Sequence, residues 1–267
     1  AGPRCDDASR SRAVASRQSV RLTIRYRDHQ AIKHLARAQH TGKTPVRQLC
    51  SQFTGFEYDA DFSQDEADPR MMSSFSTSAD RVTPSITTDD WDAIEGHSAV
   101  SYILSPRTTT ENALAVSGQT LALVAALLNA GASAVKGESS GIAHGRTYWL
   151  ELADYAAKTS ESALIRAWVR YPISDDSLLY SVGMHLLGLP DIEIDDAGTS
   201  EVDAVDALSG FMHFLLIDKR QNLDAGHTFH TRPDSARFQL SRTTCTRYEH
   251  DDFFYNPYGY WRLCPVT

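Results

Sequence analysis

The sequence has no long hydrophobic run, and this absence excludes a whole class of protein. The longest uninterrupted apolar segment, residues 121–128, is far shorter than the roughly 20 residues that a membrane-spanning helix needs. The amino end also shows no charged segment followed by an apolar one, as a secretory signal would. We therefore expect a soluble, cytoplasmic protein with no membrane partner. Whether Ala1 is a native start stays open.

Cysteine is scarce, and its spacing excludes two common site types. The four cysteines are Cys5, Cys50, Cys245 and Cys264. None of them forms a C-x-x-C pair, which argues against a zinc ribbon and against a thioredoxin-like redox motif. Reduced thiols are the default expectation for a cytoplasmic protein. A disulfide between Cys245 and Cys264 across a terminal hairpin is the alternative, and the sequence leaves it open.

Charge is unevenly distributed along the chain. The net charge is −8 over 267 residues, yet residues 1–50 hold eleven Lys or Arg and only three Asp. A basic arm can contact nucleic acid, but aromatic side chains that would stack on bases are nearly absent there, since Tyr26 stands alone. We therefore do not expect a nucleic acid partner. The acidic remainder would suit a basic protein partner.

The pattern of polar and apolar residues predicts a flexible basic leader, 1–18, and a single α/β domain, 19–267. Alternation from Val20 to Tyr26 predicts a strand, and 30–39 reads as a short helix. The segment 53–90 is rich in Ser, Thr, Asp and Pro. We interpret it as a long polar loop.

The rest of the chain alternates between strand and helix patterns. Helices are predicted over 110–129, where Gly131 would close the helix, over the segment that runs to about 157, and over 201–218. Strands are predicted over 97–104, 132–136, 163–173, 191–194 and 259–264. This alternation predicts an α/β or α+β fold with a single mixed β-sheet layered with helices.

The segment from Ser133 to Trp149 concentrates polar chemistry in one turn. Its candidate binding residues are Lys136, Glu138, Ser139, Ser140, His144 and Arg146. We expect them at a strand-to-helix junction, because ligands bind at such junctions in open α/β sheets. A later loop, 223–228, adds Asp224 and His227 to the predicted binding set.

A G-x-S-x-G pattern lies inside that turn, at residues 137–141. In α/β-hydrolases this pattern exposes a nucleophilic serine on a sharp strand-to-helix turn, which would make Ser139 the nucleophile and His144 its candidate base. The sequence shows neither an oxyanion loop nor the preceding strand–helix units. We therefore favour a structural turn, in which the serines cap a helix that begins near Ile142.

Three histidines form the alternative site. His227, His230 and His250 could converge on a metal ion together with neighbouring aspartates. An H-x-x-H pair on a loop does not project both rings to one side, however, so surface histidines are the preferred interpretation. We expect no metal and no cofactor.

Two further features have structural and functional interpretations. Asp191 and Glu193 alternate along a strand and so share one of its faces. A solvated face is favoured there over a catalytic pair of carboxylates. The aromatic segment 253–261 either closes the core or forms an exposed interface patch, and core packing is favoured.

The segments GASAVKGESSGIAHGRTYW (131–149) and YSVGMHLLGLPDIEI (180–194), followed by the helix 202–218 and the loop 223–228, resemble bacterial domain family 4261, whose function is unknown. The resemblance covers roughly residues 85–265. Ala225 departs from the pattern, which has glycine directly after the acidic residue of the loop. The family has no established activity, so the resemblance implies no catalytic residues.

Taken together, the sequence favours a non-catalytic binding protein of immunity or regulatory type that captures a protein partner. The alternative is a hydrolase that uses Ser139 or a His/Asp metal site. The partner's identity and the oligomeric state do not follow from the sequence.

Overall fold

The computed structural model describes residues 21–26, 44–80, 82–158, 161–175, 178–195, 199–217 and 223–266. The predicted leader 1–18 and the predicted helix 30–39 lie outside these ranges. The α-helices described are α1 (Thr44–Cys50), α2 (Met71–Ala79), α3 (Thr88–Glu95), α4 (Ala113–Asn129), α5 (Arg146–Lys158), α6 (Ser162–Trp168) and α7 (Glu201–Ile217), together with a short 3₁₀ helix, η1 (Met184–Leu187). The strands are β1 (Arg21–Tyr26), β2 (Glu57–Gln64), β3 (Ala99–Leu104), β4 (Ala132–Gly137), β5 (Ile142–His144), β6 (Arg170–Asp175), β7 (Leu178–Val182), β8 (Asp191–Asp195), β9 (Thr228–Phe229), β10 (Phe238–Thr243) and β11 (Tyr260–Pro265).

The described strands are divided between two sheets, where the sequence predicts one. Within the described ranges, the first sheet has five antiparallel strands in the order β2-β3-β1-β4-β5. The second sheet, counted over the same ranges, has six strands in the order β6-β7-β8-β11-β10-β9. It is mixed, because β8 and β11 run parallel while its other neighbours are antiparallel. The fold class α+β is confirmed.

Helices cover both faces of the first sheet. Along β4, Val135 packs into the large hydrophobic cluster with α4, whereas Ala134 belongs to a smaller cluster with Phe75 of α2 and Ile94 of α3. Successive side chains of a strand point to opposite faces, so this split places α4 on one side of the sheet and α2 and α3 on the other.

The second sheet has one apolar and one polar face. Trp261 and Leu263 of β11 belong to the same hydrophobic cluster as Ile192 of β8 and Phe211 of α7. The alternate residues of the same strands place Asp191 beside Tyr260. Helix α7 therefore covers the apolar face, and the polar face carries the buried charges described below.

Several predicted elements are confirmed. Strands β1, β3, β4, β8 and β11 and helices α4 and α7 lie where the sequence predicts them. Gly131 follows the carboxyl end of α4 with a φ of 104°, a conformation that favours glycine. In the ranges described, no helix combines the length and the apolar character that a bilayer crossing requires.

Two predicted elements are wrong. The segment 53–90 is not one long loop, because it contains β2, α2 and the start of α3. Its few apolar residues are sufficient, since Met71 and Phe75 lie on one face of α2 and are buried. The predicted strand 163–173 is instead the helix α6 followed by β6. A run of consecutive apolar residues fits a buried helix as well as a buried strand.

Candidate functional site

The polar turn is a β-hairpin and not a strand-to-helix junction. Residues 138–141 connect β4 to β5, and Val135 pairs with His144 across the two antiparallel strands. The following helix, α5, begins at Arg146 and not near Ile142. The amide of Arg146 donates to Oδ1 of Asp90 at 3.0 Å. Asp90 therefore satisfies an amide at the start of α5, the role that the sequence assigns to Ser139 or Ser140.

The predicted nucleophile lies in the protein interior. Ser139 and Ser140 have no exposed surface, so neither hydroxyl can meet a substrate in this conformation. His144 is at the open end of the hairpin, and Ser139 is in its turn. Nε2 of His144 lies 2.9 Å from the carbonyl oxygen of Arg166 and must be its donor, because a carbonyl only accepts. The structure therefore gives Ser139 no general base in His144.

Lys136 and Glu138 do come together, and they meet Ser74 of α2. Nζ of Lys136 donates to Oε2 of Glu138 at 2.7 Å and to Oγ of Ser74 at 2.6 Å. Some hydrolases use a serine–lysine pair, but the lysine must be neutral to accept the serine proton. Here Nζ of Lys136 is engaged by a carboxylate as well as by the serine hydroxyl. We therefore interpret this group as a structural link between the hairpin and α2.

The remaining predicted binding residues lie at a distant part of the fold. The amide of Gly226, between Asp224 and His227, donates to the carbonyl of Leu240, which places this loop at the β9–β10 edge of the second sheet. The hairpin turn instead approaches β6, because a Cβ on Gly141 would lie 3.3 Å from Nη1 of Arg170. Strands β6 and β9 are the two opposite edges of that sheet. At about 4.8 Å per strand, they are separated by about 24 Å.

The three histidines of the alternative metal site do not converge. Among the residues that the structure describes, no group of three or more His, Cys, Asp or Glu is arranged to hold a metal ion. Nδ1 of His230 lies 2.9 Å from the carbonyl of Arg232, and the ring of His250 packs on Tyr255 with centroids 4.3 Å apart. Cys245 and Cys264 are both free thiols, because Cys264 pairs with Gln239 in the β10–β11 ladder, well before Cys245.

A groove of about 400 Å³ opens elsewhere, where η1, α4, α7 and the second sheet meet. It is lined by Thr110, Leu187, Gly188, Leu189, Pro190, Leu215, Leu223, Arg242, Tyr258 and Trp261. Its size falls in the range of ligand-binding clefts, which combine apolar walls with a few polar groups. We take this groove as the candidate functional site.

One wall of the groove is formed by the turn between η1 and β8. Gly188 adopts a φ of 74°, and a Cβ at this position would lie 3.0 Å from Cβ of Ala113 and 3.1 Å from Cα of Thr110. Only glycine combines this backbone conformation with so close an approach. The turn can therefore lie against the start of α4, and the groove forms beside this contact.

Asn256 fixes the two walls of the groove relative to each other. Its Nδ2 donates to the carbonyl of Leu189 at 3.0 Å and to Oδ2 of Asp191 at 2.7 Å. Its Oδ1 accepts from the amide of Tyr258 at 2.9 Å. Leu189 belongs to the wall before β8 and Tyr258 to the wall before β11. One buried amide side chain thus connects both.

Asp191 lies directly below this connection and has no exposed surface. Its Oδ1 accepts from Oγ of Ser181 at 2.9 Å and from the amide of Met184 at 3.2 Å. Burial raises the pKa of Asp191 to about 6, although the hydrogen bonds from Asn256 and Ser181 act in the opposite direction. The expectation that Asp191 and Glu193 form a solvated face is wrong, because both are buried and paired.

Glu193 holds the polar face of the second sheet together. Its Oε1 accepts from Nε of Arg262 at 2.7 Å and from the hydroxyl of Thr243 at 3.2 Å. Arg247 lies 3.7 Å from the other carboxylate oxygen and over the ring of Tyr180. Since a buried carboxylate is tolerated only when it is paired, these contacts account for its position in the interior.

Arg242 is the cation among the described residues that line the groove. Its guanidinium lies 4.7 Å from the ring centroid of Trp261, and Nη2 donates to the carbonyl of Tyr258 at 2.9 Å. Among the described residues no carboxylate lies at ion-pairing distance from it. The side chain is exposed, but its neighbours remove part of its hydration and so lower the pKa of Arg242, because removing water disfavours the charged form.

Sequence reasoning missed most of this groove. Arg242, Tyr258 and Asn256 reach it from segments far apart in the chain, and no spacing pattern connects them. The one available signal was the block 180–194, which supplies the turn 187–190 and Asp191.

Comparison of the chain with models of protein families, with curated proteins and with solved structures finds no match. The resemblance to bacterial family 4261 therefore stays a prediction.

Proposed function

We propose that this chain is a non-catalytic binding protein of regulatory or immunity type, and that it captures a protein partner by taking a segment of it into the groove. The observation that carries the proposal is the groove itself, an open cleft whose apolar walls are fixed by the buried Asn256. A preformed cleft binds with less loss of conformational freedom than a flexible surface does.

Three titratable groups outside the groove support binding over catalysis. Lys136 pairs with Glu138, Glu193 pairs with Arg262, and His144 donates to a carbonyl. A catalytic acid or base needs access to the substrate, whereas these groups are turned into the fold. The basic protein expected from the net charge would meet the acidic remainder of the surface.

The proposal is tested with peptides selected for binding. A random peptide library displayed on phage is panned against the wild-type protein, and the enriched peptides are synthesised and titrated by calorimetry. Thr110→Trp adds an indole at the exposed rim of the groove and should abolish binding. Val202→Trp is the matched control, because Val202 is 71% exposed and does not line the groove.

We expect one-to-one binding that Thr110→Trp removes and Val202→Trp retains. Peptides that bind both variants equally would place the binding surface elsewhere. If no peptide is enriched above a chain-free control, the proposed capture of a partner segment is wrong.

A further inference from the structure

We infer that the groove selects a partner segment in which a carboxylate stands next to apolar side chains, and that Arg242 is the residue which binds this carboxylate. The inference rests on the proposed function and names the chemistry of the segment. Leu187, Leu215 and Trp261 supply the apolar contacts of the groove, and Arg242 supplies its charge.

The guanidinium of Arg242 is held in place before any ligand arrives. Its Cζ lies 4.7 Å from the ring centroid of Trp261, and the hydrogen bond to the carbonyl of Tyr258 uses one of its five N–H donors. The two contacts hold the guanidinium at the groove, and its remaining donors have the fork geometry that matches a carboxylate. Little side-chain entropy is then lost on binding.

Two other arginines beside the second sheet have a carboxylate partner, and comparison with them shows that Arg242 has none among the described residues. Arg262 and Arg247 both reach the carboxylate of Glu193, at 2.7 Å and 3.7 Å. Arg242 is exposed to an incoming ligand and, in the described part of the chain, meets only a neutral carbonyl and an aromatic ring. An incoming carboxylate would give Arg242 the ion pair that no described residue supplies.

A protein segment fits these features better than a polyanion does. The chain carries a net charge of −8, which would repel a nucleic acid or an anionic membrane surface. One carboxylate flanked by apolar side chains matches the described lining of the groove, in which Arg242 stands among apolar walls.

The inference is tested with two pools of hexapeptides that are built from Leu, Phe and Val, acetylated at the N-terminus and amidated at the C-terminus so that no terminal carboxylate is present. Each peptide of the first pool contains one Asp or Glu, and each peptide of the second contains the isosteric Asn or Gln. Both are titrated against wild type, Arg242→Gln, Arg242→Lys and the matched control Arg232→Gln. Arg232 is exposed, pairs with Asp206 at 3.4 Å and does not line the groove.

We expect the acidic pool to bind wild type and Arg232→Gln alike, and to bind Arg242→Gln about ten-fold or more weakly. Arg242→Lys keeps the charge without the fork and should give an intermediate affinity, which also covers the case in which the Gln variant does not fold. The amide pool should bind wild type no better than the acidic pool binds Arg242→Gln.

Equal binding of both pools, unaffected by Arg242→Gln but lost in Thr110→Trp, would overturn the role of Arg242 and leave the proposed function standing. Binding of neither pool to wild type would overturn this inference and count against the function as well. Octanoate is titrated as a separate arm, and an octanoate affinity above that of every acidic peptide would reassign the groove to a small amphiphile.

Discussion

Replacing His185 by leucine should make the protein more resistant to acid. His185 in η1 is 3% exposed, and neither ring nitrogen has a hydrogen-bond partner among the described residues. Burial lowers its pKa from 6.5 to about 4, because an imidazolium there would be unsolvated. Between pH 6.5 and pH 4, His185 is protonated in the unfolded chain but stays neutral in the folded chain. Stability contributed by the neutral ring is therefore present above pH 6.5 and lost as the pH falls toward 4.

The size of the effect follows from the two pKa values. One pH unit corresponds to 1.36 kcal/mol, so His185 should cost about 2.5 kcal/mol of unfolding free energy between pH 7 and pH 4.5. Burial also lowers the pKa of His144 to about 4, which adds a similar loss. The pKa of Asp191, raised to about 6, has the opposite effect on stability. As the pH falls, the Asp191 carboxylate takes up its proton in the folded chain before it does so in the unfolded chain, and this stabilises the fold by about 2 kcal/mol.

Wild type should therefore lose about 3 kcal/mol between pH 7 and pH 4.5, and His185→Leu less than about 1 kcal/mol. The measurement is urea unfolding followed by tryptophan fluorescence at several pH values, with buried Trp149, Trp168 and Trp261 as reporters. A constant slope against urea shows that only stability has changed. His230→Leu removes an exposed histidine and controls for the substitution itself.

Parallel curves for wild type and His185→Leu would refute the reasoning. They would mean that the imidazole of His185 meets water or a proton acceptor in solution, so that its protonation is no harder in the folded state than in the unfolded one. If the pH dependence of the unfolding free energy decreased equally in His230→Leu, the effect would follow from the number of histidines and not from burial of His185.

Three further substitutions test the contacts described above by chemical denaturation at pH 7. Asn256→Ala should lower the unfolding free energy by about 2–4 kcal/mol, since it leaves buried partners of three hydrogen bonds unsatisfied; a loss below about 0.5 kcal/mol would show that water replaces the amide. Gly183→Ala should cost more than about 2 kcal/mol, because the new Cβ would overlap the carbonyl oxygen of Trp168 at a φ of 119°. Gly131→Ala, with a positive φ and open space, should cost about 1 kcal/mol. Equal losses for the two variants would contradict the steric argument. Glu138→Ala should cost about 1–3 kcal/mol of unfolding free energy because it leaves Lys136 buried without its carboxylate. The control Asp154→Ala, which removes the exposed ion pair with Lys158, should cost less than about 0.5 kcal/mol. A Glu138→Ala variant that is as stable as wild type but no longer binds the selected peptides would instead assign Glu138 to binding.

The sequence by itself determined the elements whose signals are local. Helix α4 carries apolar side chains over its whole length and ends before Gly131, and the spacing of Leu208, Phe211 and Leu215 along α7 matches the helix period. Strand β1 follows from simple alternation. Such signals depend only on neighbours in the chain, so no knowledge of the fold is needed to see them.

Predictions from local patterns were wrong where the same pattern is compatible with two different structures. In 53–90, Phe75 is buried because β4 and β5 lie beside α2. The polar composition of that segment does not indicate which elements pack against it. The G-x-S-x-G pattern gave the wrong junction for the same reason. Its glycines allow a hairpin turn as readily as an elbow, and the pairing of Val135 with His144 decided between them.

The candidate groove was decided by tertiary structure alone. Asp191 and Asn256 are far apart in sequence, and each is an ordinary polar residue in its own segment. Their meeting depends on β11 running parallel to β8, which brings the turn before Tyr260 against the turn before Asp191. The charge of Arg242 acquires its setting in the same way, from the cross-strand neighbour Trp261. Long-range pairing fixes which side chains share a surface, and periodicity within one segment carries no information about it.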